Sequence, residues 1–339
     1  MDSTFPATPT VADASEAQLV ELLAATLPSG PSSDVVLGIG DDAAVLAPSP
    51  LSTVATVDAA VEGEDFLSRW PCGYATTGWD VGFKSCAQNL SDVNAMGARA
   101  TTALLVLSLP ASTPLEWVRG YARGFSAAAS ALGAQRLRVT GGDLSGSRTL
   151  MVSVSMNGEL AGEPLLRSGA GVGDALIVVG EPLGRADVSL GLLASGRPED
   201  RIEAWDERAH AVSRGLFEPR PPLAAGPALV GVASAAMDIS DGLVRDGARL
   251  ARASGVGLAL DRSALEAELE ALRAWAGRHA TRGLDHVLYG GEDHLVLATL
   301  PPGLPLPAGA RRIGSVVEGA GVGLGGEALD ERRGFDHFA

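Results

Sequence analysis

The residues best suited to chemistry in this sequence are aspartates beside apolar segments. We expect them at the ends of strands or inside one helix, in five groups: Asp41 and Asp42 in "GIGDDAAVL", Asp58 in "TVD", Asp92 in "NLSDVNAMGA", Asp143 in "TGGD", and Asp238 with Asp241 in "MDISDG". Taken singly, each could cap a helix or start a turn, as Asp241 could for the helix that follows it. Together they favour a Mg²⁺ site, because this cation prefers carboxylate and water oxygens and links carboxylates to substrate phosphates.

Asp92 belongs to a predicted helix over residues 77–96. In that helix Asn89 and Asp92 lie about one turn apart on a shared face, while Leu90 and Val93 turn towards the core. A carboxamide and a carboxylate at this spacing form a pair of metal ligands. The alternative interpretation is a solvated polar face.

Other kinds of site have little support in the sequence. All five histidines lie at residue 210 or later, away from the first aspartates, which disfavours a histidine metal site or a Ser-His-Asp triad. Cys72 and Cys86 are too few for a disulfide framework and wrongly spaced for structural zinc. Neither a G-x-x-x-x-G-K-[ST] loop nor the protein-kinase motifs occur. Any use of a nucleotide therefore requires a different fold.

Composition narrows the class of protein further. The 339 residues, 46% of them apolar, can bury a large core and suggest two domains. The net charge of −15, with 26 basic residues and no basic run, argues against nucleic acid as a partner. Neither a signal peptide nor an apolar run of about 20 residues is present, so we expect a cytoplasmic protein outside the membrane.

Predicted strands and helices alternate along the chain, which indicates a mixed α/β fold. We place a domain boundary so that residues 1–158 and 159–339 form two halves. In each half we expect apolar strands to end in acidic turns, "GIGDD" and "GGD" in the first and "DISDG" and "GGED" in the second, which indicates a similar pair of domains. The segment "RWPCGYATTGWD", residues 69–80, is predicted to be a surface loop.

The order of these motifs resembles that of a known family. "GIGDDAAVL", "TVD", "AQNLSDVNAMGA", "GGD", "RSGAGVGD", "DISDGL", "GGED" and "GFDHF" follow one another as in the thiamine-monophosphate kinases of the AIR-synthetase-like (PurM-like) superfamily. The resemblance runs from about residue 15 to 338. It implies a two-domain α/β subunit, a homodimer in which the N-terminal domains form the dimer sheet or barrel, and ATP- and Mg²⁺-dependent phosphorylation of thiamine monophosphate to thiamine diphosphate.

The resemblance also implies three sets of site residues. Several Mg²⁺ ions would be held by Asp42, Thr56, Val57, Asp58, Asp92, Asp143, Asp238 and Asp241. ATP would be contacted by Gly142, Asp143, Arg167 and Ser240. The acceptor would be contacted by Asp65, Glu292 and Phe335.

The implied reaction agrees with an acidic protein. The acceptor phosphate is already an oxyanion near neutral pH, so no general base is expected among the residues. Two anions must still be brought together, and positioning and charge neutralisation by metal ions would supply most of the catalysis.

Some residues depart from the family pattern. Asp65 stands where the family usually has a histidine, and its carboxylate would repel the acceptor phosphate unless a metal ion or Arg69 compensates. Val57 precedes Asp58 where the family has threonine, and Phe335 replaces a tyrosine or tryptophan. Two alternatives therefore stay open: a non-catalytic paralogue that binds nucleotide or thiamine phosphate, and a superfamily enzyme with another phosphorylated substrate.

Other members of the superfamily fit less well. Selenophosphate synthetase needs a reactive cysteine or selenocysteine near its N-terminus, and the hydrogenase-maturation carbamoyl dehydratase needs a C-terminal cysteine; this chain has neither. AIR synthetase itself matches "NLSDVNAMGA" and "GGED" less closely.

Overall fold

Helices and β-sheets alternate along the chain, so the predicted mixed α/β class is confirmed. The computed structural model describes residues 8–30, 32–39, 43–160 and 162–335. Asp41 and Asp42 therefore lie outside the described residues, as do the last four residues of the chain. No described helix combines the length and apolar character needed to cross a membrane.

The first half of the chain builds a small hairpin and a four-stranded sheet with the order β3-β6-β4-β5. In that sheet β4 and β5 are parallel, and the other two pairings are antiparallel. The elements are α1 (Glu16–Thr26), β1 (Val35–Leu37), β2 (Val45–Leu46), β3 (Thr53–Val61), α2 (Gly78–Ala95), β4 (Ala98–Leu109), α3 (Leu115–Ala131), β5 (Arg138–Gly146) and β6 (Met151–Leu160).

The second half builds a seven-stranded sheet with the order β13-β12-β9-β11-β7-β10-β8. The change of sheet falls between residues 160 and 175, and the domain division at residues 158 and 159 stays a prediction. The elements are β7 (Ala175–Val179), α4 (Arg185–Leu193), α5 (Glu207–Phe217), α6 (Ala225–Leu229), β8 (Ala235–Ile239), α7 (Leu243–Ser254), β9 (Gly257–Leu260), α8 (Arg262–Ala276), α9 (Leu284–Tyr289), β10 (Leu295–Leu300), β11 (Ala310–Val317), β12 (Gly321–Leu324) and β13 (Glu327–Ala328).

Helix α2 is held by close contact with α3. It begins at Thr77, whose hydroxyl oxygen accepts a hydrogen bond from the Asp80 backbone, while the Asp80 carboxylate accepts one from the Thr77 backbone. A Cβ atom at Gly78 would lie 1.8 Å from the Trp117 carbonyl oxygen, and one at Gly82 would lie 2.1 Å from that of Tyr121. Glycine is therefore required where the two helix backbones meet.

Helix α2 also contacts the second half of the chain. Its Asn94 side chain donates to the Pro222 carbonyl oxygen at 3.2 Å and accepts from the Gly226 backbone at 2.9 Å. Buried apolar residues from both halves form one continuous core around it. One face of α2 therefore supports the first sheet while another meets the strands of the second.

The prediction of a surface loop over residues 69–80 is wrong. Trp70 is 6% exposed and Cys72 is fully buried. Tyr74 stacks between Trp205 and Phe217, with ring centroids 5.8 Å apart in both pairs. The segment joins the two halves because its aromatic side chains bury apolar surface against the region around α5.

Two aspartates that are expected at strand ends lie inside strands. β5 continues through Asp143 to Gly146, because its ladder with β4 extends to the pair Leu109 and Gly146. Asp58 lies in the middle of β3, opposite Val154 of β6. The expectation of acidic residues at strand ends is therefore wrong for Asp58 and Asp143.

The buried segment generates a stability prediction. Trp70→Ala should lower the free energy of unfolding by about 3–5 kcal/mol, because it empties a large volume between the halves. Urea unfolding followed by circular dichroism measures the change. Leu304→Ala, at a side chain that is 46% exposed, is the control and should cost less than about 1 kcal/mol. Equal effects of the two substitutions would contradict the packing role.

Candidate functional site

Three aspartates from separate elements approach one another where the two halves meet: Asp58 on β3, Asp92 on α2 and Asp238 on β8. Burial, together with the charges of Asp238 and Asp58, raises the pKa of Asp92 to about 7. Burial also raises the pKa of Asp58, with Asp238 acting in the same direction and His294 opposing it. These three residues, which we call the acidic cluster, are held together against their mutual repulsion.

Polar side chains surround the acidic cluster and bond to its oxygens. The Thr56 hydroxyl donates to Asp92 Oδ2 at 2.6 Å. Gln88 is hydrogen-bonded to Asp58. The Ser91 hydroxyl lies 3.3 Å from both Asp238 Oδ2 and the His294 carbonyl oxygen, so it can donate to either. Hydroxyl and amide groups therefore take up part of the negative charge.

His294 lies beside the acidic cluster, 3.7 Å from Asp238. It shares Glu292 with a second cationic side chain, Lys84. Lys84 Nζ lies 2.9 Å from Glu292 Oε1, and His294 Nε2 lies 3.2 Å from Glu292 Oε2. Burial would raise the pKa of Glu292, but Lys84 and His294 outweigh it and lower the pKa to about 2. Burial would lower the pKa of His294, but Asp238 and Glu292 raise it to about 10. Positive and negative side chains therefore alternate across the junction of the halves, in the order Lys84, Glu292 and His294.

The backbone around Glu292 is unusual. Glu292 and His294 have φ angles of 66° and 54°, a left-handed conformation that non-glycine residues rarely adopt. Their backbone N–H groups donate to the carbonyl oxygens of Ser240 and Ile239, at 2.7 Å and 2.9 Å. A Cβ atom at Gly291 would lie 2.6 Å from the Ser240 oxygen. The "GGEDH" segment is thus fixed against the end of β8.

The loop after β8 brings several predicted residues together. The Ser240 and Asp241 backbone N–H groups donate to the buried carboxylate of Asp246, at 2.9 Å and 2.8 Å. The Phe335 backbone donates to the Asp241 carbonyl oxygen at 3.1 Å. Asp241 is not the cap of α7, which is Gly242; its carboxylate lies 2.6 Å from Arg249 Nη1. The loop after β8 therefore contains Ser240 and Asp241 and contacts Glu292 and Phe335.

Other predicted residues lie elsewhere. Gly142 and Asp58 occupy one row of the four-stranded sheet, but on opposite edges, three strand spacings or about 14 Å apart. Asp143 follows Gly142 on that far edge. Arg167 lies near the beginning of β8, where the Ala236 backbone donates to Leu166. Within a single chain Gly142 and Asp143 are therefore separated from Asp58 by the width of the sheet.

The predictions for Asp65, Asn89 and Asp42 have different outcomes. One carboxylate oxygen of Asp65 accepts from the Val61 backbone at 2.8 Å, and the Arg69 guanidinium donates to the Gly73 carbonyl oxygen. Asn89 is fully buried and donates to the Ser85 carbonyl oxygen, so the carboxamide at the cluster is Gln88 instead. Asp42 lies outside the described residues.

Sequence reasoning missed Lys84, Gln88, Ser91 and His294. The first three are spaced by four and three residues, which places them on one helical face. A second signal was compositional, because Lys84 is the single lysine in the sequence. His294 carried no recognisable signal, since its position depends on the left-handed backbone of the "GGEDH" segment.

The ligand atoms at the acidic cluster are of the type that a hard cation prefers. Carboxylate, hydroxyl and amide oxygens are the groups that Mg²⁺ prefers. Among residues 8–30, 32–39, 43–160 and 162–335, no three His, Cys, Asp or Glu side chains already form a metal-binding group. The cluster therefore supplies suitable ligand chemistry without a completed coordination shell among the described residues.

Comparison with known proteins identifies close relatives. Residues 40–160 match the family model "AIR synthase related protein, N-terminal domain". The thiamine-monophosphate kinase of Mycobacterium tuberculosis is 40% identical over 309 residues, which cover 90% of this chain and 86% of that protein.

Solved structures give the same result. The crystal structure of thiamine-monophosphate kinase from Stenotrophomonas maltophilia has a TM-score of 0.72 and 30% identity, and covers 92% of this chain and 96% of that one. A structure of AaThiL complexed with AMPPCP and TMP has a TM-score of 0.71 and 30% identity, with coverages of 93% and 94%. The fold and the sequence therefore point to the same group of proteins.

The raised pKa of Asp92 predicts how stability changes with pH in a chelator-containing buffer. The folded carboxyl keeps its proton up to about pH 7, whereas the unfolded one loses it near 3.8. The stabilising effect of this proton is therefore lost as the pH rises towards about 7. Asp92→Asn, which mimics the protonated form, should raise the Tm at about pH 8, and this gain should shrink towards about pH 4. Thermal melts that show no gain at the higher pH would contradict the repulsion.

Proposed function

The chain belongs to the thiamine-monophosphate kinase family, and from this membership we infer that it transfers the terminal phosphoryl group of ATP to thiamine monophosphate. The structural observation that supports the inference is the acidic cluster, which is built by three elements of both halves and lies beside the Glu292 loop. A phosphate oxygen of the acceptor forms the new bond to phosphorus as the bond to the ADP oxygen breaks. The products are thiamine diphosphate and ADP.

The residues of the site suit a reaction between two anions. The acceptor phosphate is ionised near neutral pH, so no side chain has to remove a proton from it. Glu292 is held by Lys84 and His294 and is therefore not free to act as a base. Positioning and charge compensation are the tasks left to the protein.

We further propose that Mg²⁺ binds at the acidic cluster. Asp58, Asp92 and Asp238 would be ligands, together with Thr56, the Val57 backbone oxygen and Asp42. Asp241 and Asp143 would serve further ions. When bound, Mg²⁺ supplies positive charge that neutralises the phosphate oxygens. The raised pKa values of Asp58 and Asp92 support the proposal, because burial and the neighbouring carboxylates disfavour the ionised forms until a cation compensates them.

We place the two substrates on either side of the Ser240–Asp241 loop. Ser240 would contact ATP, as would Gly142, Asp143 and Arg167, while Glu292 and Phe335 would contact the acceptor. Support comes from the backbone hydrogen bonds that join Glu292 and Phe335 to this loop. AaThiL, which binds both AMPPCP and TMP, supports a site for two ligands. Asp65 stays a predicted acceptor contact, with one oxygen already bonded to the Val61 backbone.

We propose that two copies pair through the four-stranded sheet. Helices α2 and α3 pack on one face of this sheet, but on the other face Val57 is 65% exposed and Leu104 is 42% exposed. Pairing of this face would bury these side chains. It would also allow Gly142 and Asp143 of one copy to approach the acidic cluster of the other, which a single chain does not permit. A cytoplasmic location stays a prediction from the sequence.

An activity assay with a variant tests the function and the metal site together. Wild-type protein with ATP, Mg²⁺ and thiamine monophosphate should form ADP and thiamine diphosphate in equal amounts. Asp238→Asn should lower kcat by at least about 100-fold, because it removes a charged group that positions the reacting phosphates. Asp13→Asn, at an exposed carboxylate that bonds locally to Thr10, is the control and should keep full activity.

Each failure in this assay has its own meaning. ATP binding without transfer by the wild-type protein would overturn the kinase assignment and favour a non-catalytic paralogue or another acceptor. Full activity of Asp238→Asn would instead remove the metal-site proposal and leave the kinase assignment standing.

Light scattering tests the homodimer. The wild-type mass should be twice the 34.5 kDa of the chain, and Leu104→Arg should give the single-chain mass, because it places a charge on the apolar sheet face. Leu190→Arg, at a 41% exposed position on α4, is the control and should stay dimeric. A monomeric wild-type protein would contradict the proposal, as would a Leu104→Arg variant that remains dimeric.

A further inference from the structure

Lys84 is the only lysine in the sequence, and the other 25 of the 26 basic residues are arginine. It lies on α2, in the first half of the chain, and its side chain is 5% exposed. None of the residue sets implied by the family resemblance includes it. The single lysine of the chain therefore stands at a buried position.

The partner of Lys84 is Glu292, 208 residues further along the chain. The distance from Lys84 Nζ to Glu292 Oε1 is 2.9 Å, and Glu292 is its one ion-pair partner among the described residues. The second carboxylate oxygen of Glu292 lies 3.2 Å from His294 Nε2. A cation from each half of the chain thus holds one oxygen of the same carboxylate.

The chemistry of the pair explains the choice of lysine. An ammonium group is a compact point charge, whereas a guanidinium has five N–H donors in a rigid plane, and all of these would need partners in a buried space. The ammonium in turn requires Glu292, since a buried charge without a partner is costly. Glu292 adds a backbone constraint of its own, because its φ angle of 66° fixes where the side chain starts.

We propose that Lys84 is a positioning residue for the acceptor substrate, which fixes the Glu292 carboxylate in one orientation across the junction of the two halves. This inference rests on the proposed function, in which Glu292 contacts the thiamine moiety. A carboxylate has about four acceptor positions, and Lys84 and His294 use one on each oxygen. The other acceptor positions of the Glu292 carboxylate stay available to the substrate. Their orientation is fixed by Lys84 from the first half and His294 from the second.

The proposal predicts a selective effect on the acceptor. The Glu292 side chain is oriented by Lys84, whereas the Ser240 loop on the ATP side is held by backbone hydrogen bonds to Asp246 and Glu292. Removing the ammonium therefore leaves the ATP contacts in place. The KM for thiamine monophosphate should change much more than the KM for ATP.

Steady-state kinetics of three variants test this selectivity. Lys84→Met, which keeps the length of the side chain but removes its charge, should raise the KM for thiamine monophosphate at least about tenfold and leave the KM for ATP within about twofold. Lys84→Arg, which keeps the charge, should recover part of the acceptor affinity. Arg119→Met is the control, because it removes one positive charge from an exposed position on α3 and should change neither KM.

The single lysine also gives a direct spectroscopic signal. Protein labelled with [¹⁵N]lysine should show one side-chain ammonium resonance, with slow hydrogen exchange because the group is buried and paired. Thiamine monophosphate should shift this resonance when it binds. Glu292→Gln should move the resonance and speed its exchange, and should raise the KM for thiamine monophosphate as Lys84→Met does.

The outcomes separate this inference from the proposed function. An equal rise of both KM values in Lys84→Met, or an unchanged acceptor KM, would overturn the positioning role while the kinase assignment stands. If Lys84→Met does not fold, the KM values of Lys84→Arg for the two substrates decide in the same way. If the wild-type protein makes no thiamine diphosphate, the kinase assignment fails. In that case, a Lys84 resonance that does not respond to thiamine monophosphate overturns the positioning role as well.

Discussion

The repulsion between the carboxylates of the acidic cluster is the constraint on which the rest of the site depends. Asp58, Asp92 and Asp238 come from three elements, and burial strengthens the effect of their charges on one another. Several neighbouring side chains partly offset this excess of negative charge. Hydroxyl groups donate to the aspartates, and His294 lies 3.7 Å from Asp238. These contacts leave part of the negative charge uncompensated. A divalent cation shared with two phosphate groups would neutralise it.

The fold meets this constraint by making α2 the common support of both halves. Glycines let its backbone contact α3, and Asn94 forms hydrogen bonds with the second half. The buried segment of residues 69–80, which leads into the helix, packs against Trp205 and Phe217 of the second half through Tyr74. Because α2 is fixed at three places, the repulsion between Asp92 and the other two aspartates does not separate the elements that carry them. Lys84, on the same helix, forms an ion pair with Glu292 of the second half.

Local patterns in the sequence predicted the elements well, because helix caps and periodicity act over a few residues. The expected helix over residues 77–96 is present as α2, and the alternation of helix and strand gave the correct fold class. Local patterns could not predict contacts between segments that are distant in the sequence. Asp143 was expected beside the other aspartates, but sheet order places it on the far edge. Asn89 was expected beside Asp92, but it is buried against the Ser85 carbonyl oxygen and the neighbouring Gln88 bonds to Asp58. The Lys84–Glu292 pair joins residues too far apart for any spacing rule.

The central claim is that the acidic cluster keeps its charges close because a divalent cation binds there. The most direct test is calorimetric titration of nucleotide-free protein with Mg²⁺ at about pH 7, in two buffers of different ionisation enthalpy at constant ionic strength. The account predicts binding with net release of protons, because the carboxyl with a pKa of about 7 must ionise to accept the cation. Binding without proton release, or no binding at all, would contradict it.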